Sequence, residues 1–100
     1  MINDTIIALP EAEVNRKLLS LPGWTKSPEG LTKTYVQPNF RAAVALVNWI
    51  AELAEAMNHH PDLKIYGYKR VTVTTTTHEV KALTERDFEL AGKNERVGIN

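Results

Sequence analysis

The chain contains no cysteine, which excludes disulfide bonds, thiolate metal sites and a cysteine nucleophile. It has no apolar run approaching the roughly 18 residues of a membrane-spanning helix. Its 12 lysines and arginines balance 12 aspartates and glutamates, so the basic surface that nucleic-acid binding usually needs is missing. No basic segment followed by an apolar run opens the sequence. We therefore expect a cytoplasmic protein with no membrane or nucleic-acid partner.

Glycine is also scarce, and none of the five glycines belongs to a GxGxxG, P-loop or GxSxG pattern. Nucleotide-cofactor and serine-hydrolase sites therefore have no support in the sequence. Hydrophobic residues make up 43% of the 100 positions, which is enough for one domain with one core. We predict a single domain over residues 1–100.

The first half of the chain predicts a helix followed by a β-hairpin. Pro10 and the acids after it are typical of a helix start, and Pro22-Gly23 ends that segment. Residues 24–37 predict two strands joined by the turn Ser27-Pro28-Glu29-Gly30, whose proline and glycine suit the second and fourth turn positions.

A long amphipathic helix is predicted next, with Asn39 as its N-cap and an end near Asn58. A second hairpin over residues 62–77 follows, and Thr84–Asp87 is typical of a capping box that opens a last helix, frayed after Asn94. The order α-β-β-α-β-β-α predicts an α+β fold, a two-layer sandwich with helices on one face of a four-stranded antiparallel sheet. The apolar stripe of the long helix comprises Phe40, Ala43, Val47, Ile50, Ala54 and Met57.

All three histidines of the chain, His59, His60 and His78, lie at the ends of predicted elements. A hairpin over residues 62–77 returns the chain to where it began, so His78 can approach the other two. Imidazoles change charge near neutral pH and can donate or accept the protons of a reaction. A helix C-terminus also favours cations, so a purely structural charge at His59 or His60 is the alternative.

Two acids are candidates for supporting these histidines. Glu55 lies four residues before His59 on one helix face and can accept a hydrogen bond from its ring, although a solvated acid fits this spacing equally well. Asp87 suits the first turn of the last helix, where a capping role is sufficient to explain it. The Thr72–Thr77 run offers hydroxyls to a polar ligand, but an exposed strand face explains most of these threonines.

A zinc site is a competing interpretation of the same residues. Three histidines with Asp62 or Glu55 could supply the ligands. Adjacent residues rarely both face one metal, however, and the chain has no HExxH pattern. We therefore expect no metal.

The spacing of the candidate residues resembles a known signature. The pattern of Glu55, His59-His60-Pro61, Tyr68, His78 and Asp87, with gaps of three, six, nine and eight residues, is similar to that of the pterin-4a-carbinolamine dehydratases. That family includes a vertebrate dimerisation cofactor of a homeodomain transcription factor. Further similar segments run through nearly the whole chain: Pro22-Gly23-Trp24, Ala51–Glu55, Thr77–Glu79 and Leu83–Asp87.

The resemblance implies a hydro-lyase that dehydrates 4a-hydroxytetrahydropterin to quinonoid dihydropterin and so recycles tetrahydrobiopterin for aromatic amino acid hydroxylases. It implies no metal and no organic cofactor. The implied catalytic residues are His59, His60 and His78. From the two proton transfers of the reaction we expect His59 and His78 to act as acids and His60 to act as a base or to bind the pterin ring. Glu55, Pro61 and Asp87 would support them. The implied pterin contacts are Asn58, His59, His60, Thr76, Thr77, His78 and Glu79.

Assembly is expected to be a homodimer or homotetramer, both from the resemblance and because a four-stranded sheet leaves two unpaired edges. The segment Val80-Lys81-Ala82 departs from the family pattern, which commonly has glycine just before the leucine. Since alanine adopts a positive φ less readily, we expect the loop after His78 to differ. The alternative function is a non-catalytic pterin-binding or protein-stabilising adaptor on the same fold, and the intact set of three histidines favours the enzyme.

Overall fold

The computed structural model describes residues 6–98. The expectation that no basic segment followed by an apolar run opens the sequence concerns residues outside this range. The helices and strands follow the predicted order, and the sheet is antiparallel with the helices on one face. The prediction that the chain frays after Asn94 is wrong, because the last helix continues to Gly98. The elements are α1 Glu11–Leu18, β1 Thr25–Ser27, β2 Gly30–Val36, α2 Phe40–Met57, β3 Asp62–Tyr66, β4 Arg70–Thr75 and α3 Glu85–Gly98.

The sheet has the strand order β1-β2-β4-β3, with β2 and β4 in the centre. Each neighbouring pair is antiparallel, and Leu31 of β2 lies opposite Thr75 of β4. Gly30 has a φ of 140°, and a Cβ at this position would lie 2.4 Å from the carbonyl oxygen of Thr75. Only glycine therefore allows β2 to approach the end of β4 this closely.

The core lies between the sheet and the helices. Along β2, Leu31 and Tyr35 are buried beneath the helices while Thr34 and Val36 are exposed, as the alternation of the sequence predicts. The buried face of α2 is rotated relative to the predicted stripe, since Leu46 is buried and Phe40 is 55% exposed. The core residues of α2 are Ala43, Leu46, Ile50 and Ala54.

Both ends of α2 are capped as expected. The Asn39 side chain accepts a hydrogen bond from the Ala42 backbone N–H at 2.8 Å. At the other end Asn58 adopts the left-handed conformation, and the backbone N–H of His59 donates to the Ala54 carbonyl at 3.0 Å. This turn fixes the backbone from which the first histidine projects. None of the helices within residues 6–98 combines the length and apolar character needed to cross a bilayer.

Candidate active site

The centre of the candidate site is a buried contact between the turn that follows α2 and the first turn of α3. Nε2 of His59 lies 2.7 Å from Oδ1 of Asp87. The His59 side chain is 6% exposed and the Asp87 side chain is fully buried. His59 is carried by the left-handed turn after α2, and Asp87 by the first turn of α3.

The Asp87 carboxylate accepts hydrogen bonds at both of its oxygens. The Thr75 hydroxyl donates to Oδ1 at 2.7 Å, beside His59. The Thr77 hydroxyl and the Thr84 backbone N–H donate to Oδ2 at 2.8 and 3.0 Å. A carboxylate surrounded by donors is suited to its ionised form, which can only accept. His59 therefore carries a hydrogen on Nε2, and Nδ1 is the ring nitrogen left for proton exchange.

The predicted capping box is confirmed by the same residues. The Thr84 hydroxyl accepts from the Arg86 backbone N–H at 3.2 Å, and Asp87 binds back to the Thr84 N–H. The capping role is thus real, but it uses only one oxygen of Asp87. The other oxygen holds His59, a role that the position of Asp87 in the first turn of a helix did not reveal.

The predicted contact between Glu55 and His59 is not formed. Glu55 Oε2 instead lies 2.7 Å from His60 Nε2, and both side chains are exposed. The helical spacing of four residues ceases to apply at Asn58, where the chain leaves the helix in a left-handed turn. His59 consequently turns inward to Asp87, and His60 returns over the surface of α2.

His78 lies in an exposed loop that follows β4. Thr77 and Ala82 close this loop with an isolated antiparallel bridge. The left-handed residue of the loop is Lys81, with a φ of 53°, and not Ala82, which stands where the family commonly has glycine. A non-glycine residue in this conformation costs about 1 kcal/mol, which identifies the loop as a slightly strained segment.

The register of β3 and β4 brings the remaining candidates to one end of the sheet. Asp62 pairs with Thr74, so the segment before β3 and the segment after β4 run side by side. The exposed members are Asn58, His60, His78 and Glu79, while Pro61 and Thr76 are half-buried. Thr77 is fully buried and its hydroxyl is engaged with Asp87 and Thr84, so it lies beneath the site rather than at its surface.

Metal ligation has no geometric support in the part of the chain that the structure describes. Among residues 6–98, no three histidine, aspartate or glutamate side chains converge as ligands of one ion. His59 and His60 follow one another but turn to different carboxylates, Asp87 and Glu55.

Comparisons with known proteins agree on one family. Residues 7–97 match the sequence model described as Pterin 4 alpha carbinolamine dehydratase. A relative from Thermomicrobium roseum, provisionally named as a pterin-4-alpha-carbinolamine dehydratase, is 48% identical over 85 residues, which cover 85% of this chain and 90% of the relative. A relative from Aquifex aeolicus with the same provisional name is 45% identical over 83 residues, which cover 83% of both chains.

A solved structure extends the similarity to the fold. The crystal structure from Brucella melitensis described as a transcriptional coactivator/pterin dehydratase has a TM-score of 0.86 to this chain at 33% identity. The similarity covers 92% of this chain and 99% of that one. The α+β arrangement of three helices on a four-stranded antiparallel sheet is therefore shared with that protein.

Proposed function

Because the chain belongs to the pterin 4 alpha carbinolamine dehydratase family, we propose that it is a hydro-lyase acting on a 4a-hydroxytetrahydropterin. The observation that carries this proposal is the buried contact of His59 with Asp87, at the end of the sheet where His60 and His78 also lie. The physiological role we propose is recycling of tetrahydrobiopterin in the cytoplasm, in a pathway with an aromatic amino acid hydroxylase.

The reaction requires two proton transfers. The C4a–O bond breaks as the hydroxyl group accepts a proton and leaves as water, and loss of the N5 proton allows the N5=C4a double bond of the quinonoid dihydropterin to form. Imidazolium can supply the first proton and a neutral imidazole can remove the second. Three histidines at one end of the sheet are the candidates for these two roles.

We assign proton donation to His59 and His78. Asp87 holds the Nε2–H of His59, so Nδ1 would deliver the proton. His60 is exposed and its Nε2 contacts Glu55, which suits a base or a contact to the pterin ring. We place Asn58, Thr76 and Glu79 at the pterin, with Pro61 directing the chain from the histidines into β3.

We propose that the protein assembles as a homodimer or homotetramer. The edge strands β1 and β3 each have one neighbour in the sheet, and pairing with a second copy would satisfy their free backbone groups. Two exposed aromatic residues of α2, Phe40 (55% exposed) and Trp49 (54% exposed), are further candidate contacts. Light scattering at micromolar concentration should show a multiple of the 11.2 kDa subunit mass, and a monomer would contradict this proposal.

An adaptor without turnover is the second candidate function. It is favoured by the description of the Brucella melitensis neighbour as a transcriptional coactivator/pterin dehydratase and by the exposed aromatic residues of α2. An adaptor has no chemical need for the histidines, so their substitution separates the two functions.

The test adds the purified protein to a pterin-dependent hydroxylase reaction and follows the decay of carbinolamine absorbance. We expect His59→Ala and His78→Ala each to lower turnover by roughly 10²–10⁴, the range for loss of a general acid or base. Glu52→Gln, an exposed acid of α2, is the matched control and should retain full activity. Absent turnover in the wild type, or unchanged rates in both histidine variants, would refute the dehydratase proposal.

A further inference from the structure

Thr75 is a buried threonine at the end of β4, and its hydroxyl makes one hydrogen bond within residues 6–98. It is fully buried on the helix-facing side of the sheet. Its Oγ1 donates to Asp87 Oδ1 at 2.7 Å, the same oxygen that lies 2.7 Å from His59 Nε2. The next threonine toward the N-terminus, Thr74, faces the other side of the sheet and contacts the Thr32 hydroxyl at 3.0 Å.

Strand propensity and packing do not account for the Thr75 hydroxyl. The same face of β4 carries Val71 and Val73, which are fully buried as well. Valine has the branched shape of threonine and suits a strand equally, so a third valine would fill this position without a buried polar group. The hydroxyl is accounted for by its acceptor, Asp87.

Resting on the dehydratase function proposed above, we propose that Thr75 is a positioning residue for His59 and acts through Asp87. A carboxylate offers about four acceptor positions. In Asp87 two donors occupy each oxygen: His59 and Thr75 at Oδ1, and Thr77 and the Thr84 N–H at Oδ2. Rotation of the carboxylate would break bonds at both oxygens, so its plane is fixed. That plane directs the His59 ring and thereby the direction in which Nδ1 faces the substrate.

The backbone of Thr75 is itself held in place. It pairs with Leu31 across the two central strands, and its carbonyl oxygen lies against Gly30 so closely that a Cβ there would be at 2.4 Å. The hydroxyl therefore reaches Asp87 from a rigid part of the sheet. Loss of the hydroxyl would leave His59 as the sole donor at Oδ1 and would free the carboxylate to tilt.

The experiment compares Thr75→Val with Thr75→Ser, and uses Thr74→Val on the opposite face as the matched control. Imidazole ¹H–¹⁵N NMR of the ligand-free protein reports the Nε2-bound proton of His59, and the carbinolamine assay gives kcat and KM separately. We expect Thr75→Val to shift the Nε2–H resonance, to speed its exchange with water and to lower kcat roughly tenfold with KM unchanged, the rate equivalent of one lost hydrogen bond. Thr75→Ser should restore both readouts, and Thr74→Val should change neither.

An unchanged Nε2–H resonance and exchange rate in Thr75→Val would overturn the proposal, as would a failure of Thr75→Ser to restore them. Thr75→Ala, which also lacks the hydroxyl and needs no additional space, replaces Thr75→Val if the latter does not fold. The NMR readout requires no turnover. A protein without dehydratase activity whose resonance still responds to Thr75→Val would refute the proposed function and leave the positioning of His59 supported.

Discussion

Asp87 and Glu95 lie near opposite ends of helix α3 and each accept several hydrogen bonds, but their partners differ in what they can do. Asp87 is fully buried and contacts hydroxyls, a backbone N–H and the His59 imidazole. Glu95 is 28% exposed at its side chain, and its Oε2 accepts from Trp24, Lys33 and Tyr35 at 2.8 to 2.9 Å. We call these last four residues the Glu95 clamp.

The surroundings of Asp87 are suited to proton transfer, whereas the Glu95 clamp is suited to stabilising the fold. The imidazole beside Asp87 has a second ring nitrogen that can take part in proton transfer, whereas the Lys33 ammonium in the Glu95 clamp serves as a hydrogen-bond donor and a charge partner. Burial raises the pKa of Glu95, but the hydrogen bonds from Lys33, Tyr35 and Trp24 outweigh burial and hold it below its ordinary value. Two carboxylates of one helix thus have different roles because their hydrogen-bond donors differ.

The largest expected effect is the loss of turnover in Asp87→Asn, which removes the carboxylate that holds His59. The amide replaces one accepting oxygen by an NH₂ group, which would face hydrogen-bond donors instead of accepting from them. The side chain would then no longer select the tautomer of His59 that carries its hydrogen on Nε2. We expect turnover in the carbinolamine assay to fall by roughly 10⁴-fold, the size known for a catalytic histidine that loses its orienting carboxylate. Circular dichroism checks folding, and exposed Asp62→Asn is the control. Retention of more than a tenth of the activity would contradict this role.

Glu95→Gln should weaken the Glu95 clamp and lower stability without affecting turnover. The amide loses the charge that pairs with Lys33 and that strengthens the bonds from Trp24 and Tyr35. We expect the free energy of unfolding in urea to fall by about 1–3 kcal/mol. The matched control, Glu89→Gln, removes an exposed pair with Lys93 and should change it by less than about 0.5 kcal/mol. Equal effects of the two variants would show that the Glu95 clamp is not a stabilising feature.

The contribution of the Glu95 clamp to stability should also depend on pH, through Glu95 and Tyr35. The pKa of Glu95 is lowered in the folded state from an ordinary 4.5, so its stabilisation is present above that pH and is lost as the pH falls below it. Burial, aided by the hydrogen bond to Glu95, raises the pKa of Tyr35 above an ordinary 10.0, so its stabilisation is present below that pH and is lost above it.

Urea midpoints measured across both pH windows should therefore decline at each end in the wild type. Glu95→Gln should flatten the acid decline, and Tyr35→Phe should flatten the alkaline one. If the urea midpoints of the wild type and both variants change with pH in parallel, the Glu95 clamp is not the source of the pH dependence.

The smallest expected effect concerns the residue beside Glu95. Asn94 is 1% exposed, and neither polar atom of its side chain has a hydrogen-bond partner within residues 6–98. Leucine has the same branching pattern without the polar atoms, so Asn94→Leu should raise the free energy of unfolding by about 1 kcal/mol. Exposed Asn15→Leu on α1 is the control and should leave stability nearly unchanged. A loss of stability in Asn94→Leu would show that the amide has a role of its own.

Much of the fold was predictable because its signals are local. The turn at Ser27–Gly30, the alternation of β2 and the caps Asn39 and Asn58 each depend on a few neighbouring residues. The rotation of the buried face of α2 was not predictable in this way. Apolar residues line more than one side of the helix, and only the position of the sheet selects Leu46 over Phe40.

The candidate residues could be named from the sequence, but the contacts that they make could not. Spacing drew attention to Glu55 and Asp87, yet it assigned Glu55 to His59 and left Asp87 as a helix cap. The left-handed turn at Asn58 decides which carboxylate each histidine meets, and a dihedral angle is not visible in spacing. Glu95 was missed because its partners lie 60 to 71 residues away and no local pattern marks a carboxylate for such distant donors.

The two carboxylates also differ in the length of chain that their contacts close into a loop. Asp87 and His59 are 28 residues apart, and their hydroxyl partners lie between them, so the network closes a short loop. The Glu95 clamp closes loops of 60 to 71 residues and so carries a larger loop-closure entropy. The histidine network therefore costs less chain entropy to form than the Glu95 clamp does. By this criterion we expect the contacts of Asp87 to form before those of Glu95 when the chain folds.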